Sequence, residues 1–138
     1  MTTEMRSGII AAAILVVMSG TESVHAHHNT AAVYDAEKPI PLEGTVTAVL
    51  WRNPHAYLLV DTKNTDGTVV NWKVELLAGL VLNHEGIPRD VVKPGDPVRM
   101  TVCVAKDGSR TAAAKYFFVP SSLENKRAGV CKDPSSAK

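Results

Sequence analysis

The sequence predicts an all-β domain with one short helix, a small five-stranded barrel of the OB type, and three observations lead there. Five segments alternate apolar and polar residues with the period of two that a half-buried strand requires. Turns rich in glycine and proline separate most of them at short intervals. Between the third and fourth strands the spacing changes to that of a helix, which gives the order β-β-β-α-β-β of an OB barrel. A small open β-sandwich is the alternative built from the same strands.

In the first strand, Leu42, Val46, Ala48 and Leu50 alternate with Glu43, Thr45 and Thr47, and Gly44 within it predicts a bend or bulge. Arg52-Asn53-Pro54 interrupts, because Pro54 has no N–H to give a ladder and restricts the residue before it. The second strand, residues 55–61, sets Ala56, Leu58 and Val60 on one face and His55, Tyr57 and Leu59 on the other. A turn at Asp66-Gly67 follows. In the third strand Val70, Trp72, Val74 and Leu76 point inward, while Asn71, Lys73 and Glu75 point outward. Leu77, Leu80, Val81 and His84 then fall at i, i+3, i+4 and i+7, a short helix weakened by Gly79 and stopped by Gly86 and Pro88. In the fourth strand Val98, Met100, Val102 and Val104 alternate with polar residues and Cys103. A hairpin at Asp107-Gly108 leads into the fifth.

The chain ends read differently from this middle. Residues 9–18, IIAAAILVVM, form an apolar run long enough for a signal-peptide core and well short of the roughly 20 residues that span a bilayer. Arg6 precedes it, and Val24 and Ala26 occupy the small-residue positions of a cleavage site. The reading is a signal peptide over 1–26 cut after Ala26, with an uncleaved anchor as its rival. His25 leaves with the leader and His27 becomes the new N-terminus. The expected product is periplasmic or secreted, without stable membrane insertion. It comprises an extended arm (27–41), the barrel (42–120) and a polar, loosely held tail (121–138). Cys103 and Cys131 would sit in an oxidising compartment. A disulfide and two unpaired thiols both stand as readings, since spacing does not show whether the Cβ atoms approach.

The motifs "HHNTAAVYDAEKPIPLEGTVTAVLWRNPHAYLLVD", "NWKVELL", "VVKPGDPVRM" and "AKDGSRTAAAKY" resemble a family of small exported bacterial proteins catalogued as domain of unknown function 6152. The resemblance covers residues 27–119, and its most specific elements are the leading His-His pair, W-x-NPHA and NW-x-x-E. It implies an exported, single-domain β protein and no particular activity. The family usually reads His-His-Ser where this chain has His27-His28-Asn29.

Nothing in the sequence assembles a catalytic set. G-x-S-x-G, the Walker loop, H-E-x-x-H and C-x-x-C are all missing, and no catalytic residue is assigned. Net charge is +1 and the basic residues are scattered, which argues against a nucleic-acid partner. The positive feature is histidine placement. His27 and His28 flank the expected free amine, and His55 opens the second strand beside Tyr57, which a simple hairpin register sets opposite Glu75. An arm folded over that face brings His27 or His28 to His55. Imidazole and amine nitrogens suit copper, with zinc and nickel as competitors. The same face, with Tyr57, Glu75, Trp51 and Asn53, is the surface on which OB barrels bind ligands. Two functional expectations follow. One is a copper-capturing exported domain using His27, His28 and His55. The other is a metal-free module that docks a protein partner or small ligand, for example as an accessory subunit of an exported oxidoreductase. The plain alternative is that the histidines are a solvated arm and a strand cap, and that Trp72 is core.

Overall fold

The alternation read from the sequence closes a barrel. The computed structural model describes residues 30–131. The signal peptide, its cleavage site, His27, His28 and residues 132–138 lie outside the described residues. The elements run α1 Thr30–Val33, β1 Ile40–Leu50, β2 Tyr57–Lys63, β3 Val69–Glu75, α2 Gly79–His84, β4 Pro97–Val104 and β5 Thr111–Val119, followed by a single 3-10 turn at Ser121–Leu123. The strands join in the order β1-β2-β3-β5-β4, and β4 pairs back onto β1. Neighbours are antiparallel except β3 and β5, which are parallel over three residues, Lys73 to Thr111 through Glu75 to Ala113. This is the closed five-stranded barrel with one helix between β3 and β4, and closure sets the sandwich arrangement aside.

Leu58 and Val60 on β2, Val74 on β3, Val98, Met100 and Val102 on β4 and Phe117 on β5 fill the interior. Each points inward at alternate positions, as the sequence patterns require. Trp72 is partly buried against this core, with the Arg110 guanidinium 5.4 Å from its ring centre on the outer side.

Sequence expectations in β1 and α2 need correction. In β1 the pairing with β2 slips between Val46 and Ala48, so the phase of the pleat changes there. Val49 therefore packs on the core, while Leu50, expected inside, is exposed. Gly44 is not at this irregularity. It lies where β1 passes so close to the Asp61 carbonyl of β2 that a Cβ would collide with it. In α2 the buried residues are Gly79 and Leu82, whereas Leu80 is 63% exposed and Val81 40%. His84, expected to pack, is exposed as well. The helix is only six residues long, and its orientation is fixed by Gly79 lying on Trp51 rather than by its own periodicity.

The two chain ends hold more structure than their composition suggests. The arm is not wholly extended: α1 forms one turn, and Tyr34 then bridges Ala105 at the end of β4. The first strand starts at Ile40 rather than Leu42. The segment after Ser121, expected to be loosely held, is packed as far as Cys131. Leu123, Ala128, Val130 and Cys131 are buried. The Leu77 N–H donates to the Ala128 carbonyl at 2.9 Å, and the Ala128 N–H donates to the Lys115 carbonyl at 3.1 Å. The segment thus bridges the residues just past β3 to β5, continuing the seam that three parallel pairs begin. A disulfide between Cys103 and Cys131, with Cα atoms 6.1 Å apart, pins it to β4. Closing a loop of 28 residues contributes about 3–4 kcal/mol in the chain-entropy account.

Candidate functional site

The bend that ends β1 determines where the polar outer face of β2 and β3 begins. Asn53 is exposed in this bend, and its peptide bond to Pro54 is cis. The chain then enters β2 with Ala56 wholly buried, bonded through its N–H to the Leu77 carbonyl and through its carbonyl to the Leu76 N–H. Because successive side chains point to opposite faces, an inward Ala56 turns His55 and Tyr57 outward. On β3 the same rule, with Val74 and Leu76 inside, turns Glu75 outward. Tyr57 and Glu75 are direct cross-strand partners, as the simple hairpin register predicts.

Glu75 is the hub. One carboxylate oxygen, Oε1, accepts from Nδ1 of His55, and both side chains are mostly shielded, at 19% and 13% exposure. The other oxygen, Oε2, accepts from the Tyr34 hydroxyl, delivered by the arm. A carboxylate accepts at both oxygens, so it joins these two donors without leaving either proton unshared. Tyr34 is buried beside the Cys103–Cys131 disulfide, among Ala105, Ala113 and Val130. Burial, first, and then the Glu75 hydrogen bond and charge push its phenol well above the ordinary tyrosine range. Tyr34 thus remains a neutral donor. Tyr57 is also pushed upward, mainly by burial and then by Glu75, with Arg52 opposing.

Tyr57 carries cations over its ring. The Arg52 guanidinium lies 5.0 Å from the ring centre and the Lys73 ammonium 4.4 Å. Trp51 is half-buried rather than presented outward. Its indole lies against Gly79, where a Cβ would stand 2.6 Å from Nε1. Of the residues singled out from the sequence, His55, Tyr57 and Glu75 therefore come together, and Trp51 serves packing under α2. Cys103 and Cys131 pair. His27 and His28 fall outside the described residues. Tyr34 was missed, because nothing in a polar arm marks one tyrosine as the partner of a glutamate at the end of the third strand. The one available signal was its placement as the only aromatic residue in the arm.

The donor chemistry fits a metal in one respect. An imidazole whose Nδ1 is held by a carboxylate is the arrangement that orients a metal-binding histidine. Among the described residues, no group of three His, Cys, Asp or Glu side chains gathers as a complete metal site. Among the described residues no helix is long and apolar enough to cross a membrane.

No curated protein and no solved structure shows significant similarity to the chain. A family match does cover residues 13–114, which takes in the arm, β1 to β4, α2 and the start of β5. The resemblance read from the His-His, NPHA and NW-x-x-E motifs is thereby met, and the chain belongs to the family of unknown function DUF6152.

Proposed function

We propose that this is an exported, non-enzymatic binding domain that captures a transition metal, copper in preference to zinc or nickel, at His55. The observation that carries the reading is the His55–Glu75 pair on the outer face of β2 and β3. Holding an imidazole at Nδ1 with a carboxylate fixes its ring, which favours binding of a metal ion. His27 and His28 lie three and two residues before Thr30, and Thr30 begins the turn that leads to Tyr34. Two residues span at most about 7 Å and three about 11 Å. On this reading the arm carries those imidazoles to His55. Nitrogen donors of this kind favour copper among divalent ions.

Calorimetric titration of Cu(II) into protein whose first residue is His27 tests the reading. Submicromolar binding is expected, at least tenfold weaker in His55→Ala and weaker again when one extra residue precedes His27. Binding indifferent to both changes would return the histidines to a solvated arm.

A second reading rests on Tyr57, whose ring lies under the cations of Arg52 and Lys73 on the face that OB barrels use for ligands. There the domain docks a protein partner or small ligand without metal, as an accessory subunit of an exported oxidoreductase would. Its signature is partner binding that Tyr57→Ala abolishes and chelators leave unchanged.

A further inference from the structure

We propose that Tyr34 is a positioning residue of the His55 site, the latch that seats the N-terminal arm and aims the Glu75 carboxylate at His55. This rests on the reading of His55 as the binding group. Three hydrogen bonds hold the arm beside β4 and the β4–β5 hairpin, and the two between backbone groups make the pairing of Tyr34 with Ala105. The Asp35 N–H donates to the Val104 carbonyl at 2.9 Å, and the Lys106 N–H donates to the Val33 carbonyl at 2.9 Å. Lys106 Nζ donates to the Ala31 carbonyl at 2.6 Å. These bonds run along β4 and point the Tyr34 side chain across the barrel surface toward β3.

The phenol then does two things at once. Its ring fills the cluster formed with the disulfide, so the arm is fixed by packing as well as by backbone bonds. Its hydroxyl occupies Glu75 Oε2, which leaves Oε1 as the oxygen that faces His55 Nδ1. A carboxylate tethered at one oxygen has lost its main rotational freedom, so the imidazole beside it is held in one tautomer and one ring orientation. The arm residue therefore aims the carboxylate that orients His55. In ordinary metal sites, loss of such an orienting partner weakens the metal by 10- to 100-fold.

The test uses full exported protein as wild type, Tyr34→Phe and Glu75→Asp. The Phe variant keeps the ring and removes the hydroxyl; the Asp variant keeps Tyr34 and shortens the carboxylate. The first readout needs no metal: long-range 1H–15N correlation of the His55 ring. Wild type should show a single tautomer protonated at Nδ1, and both variants a mixture of tautomers. The second is the Cu(II) dissociation constant, expected to rise about tenfold in Tyr34→Phe. An unchanged His55 tautomer in Tyr34→Phe would overturn the proposal, whatever Glu75→Asp does. If wild type itself fails to bind Cu(II), the metal reading falls, and the tautomer readout alone decides the role of Tyr34. Should Tyr34→Phe fail to fold, Glu75→Asp decides in its place.

Discussion

Tyr34 and Glu75 stand 41 positions apart in the chain and share a hydrogen bond beside the barrel, with the carboxylate's second oxygen on His55. That one bond connects the arm to β3, and through Glu75 to the start of β2. It also gives the site a pH signature. The phenol is raised above its ordinary value near 10 by burial and by Glu75. The folded chain therefore holds this proton more tightly than the unfolded chain. The stability it contributes is fully present below about pH 10 and is lost as pH rises beyond that. Tyr34→Phe should cost about 1–3 kcal/mol at neutral pH, a hydrogen bond to a charged acceptor. The gap to wild type should narrow above pH 10. Denaturant melts at pH 7.5 and 10.5 measure this, and a gap that widens instead would contradict the assignment.

Glu75→Gln isolates the second cause of the same shift. Removing the charge takes away the electrostatic part and leaves burial, so the Tyr34 phenol should titrate lower than in wild type yet still above free tyrosine. Absorbance at 295 nm during alkaline titration follows it, with Tyr34→Phe identifying which tyrosine responds. No movement of the Tyr34 step would mean that Glu75 does not sense it in solution.

The seam after β5 makes a stability prediction. Leu123 is fully buried although it lies in a segment whose composition is polar. Leu123→Ala should cost about 2–5 kcal/mol, the range for truncating a buried leucine. A cost below about 0.5 kcal/mol would mean that this segment is not packed in solution. Reduction of Cys103–Cys131, which anchors the same segment, should lower stability by about 3–4 kcal/mol. Thermal melts with and without a dithiol reductant measure it.

The orientation of α2 separates two leucines that lie two positions apart. Leu82 is wholly buried and Leu80 is mostly exposed. Leu82→Ala should destabilise by about 2–5 kcal/mol, whereas Leu80→Ser should change stability by no more than about 0.5 kcal/mol. The reverse order would restore the helix face that periodicity alone suggests.

These contrasts mark where the sequence was readable. Strict alternation over Val70, Trp72, Val74 and Leu76 sets the face of β3, and a two-stranded register across the Asp66-Gly67 turn sets Tyr57 opposite Glu75. Both signals are local, and both are met. The helix face was not legible, because six residues carry too little periodicity to outweigh the contact of Gly79 with Trp51. A bulge near Thr47 reversed Leu50 and Val49 in the same way, since one extra residue shifts every later side chain to the other face. The docking of Tyr34 and the packing of Leu123, Ala128 and Val130 depend on partners far along the chain. A polar segment with a few well-placed apolar residues hides them. The Cys103–Cys131 pairing was open for the same reason, because only the fold brings their Cα atoms to 6.1 Å.

The central claim is that His55 binds copper together with nitrogen donors of the arm. Electron paramagnetic resonance of Cu(II) bound one-to-one to the protein beginning at His27 tests it most directly, with histidines labelled with 15N to resolve the nitrogen splittings. The account predicts coordination by several nitrogens in wild type and the loss of one nitrogen in His55→Ala. Identical spectra from the two proteins would contradict it.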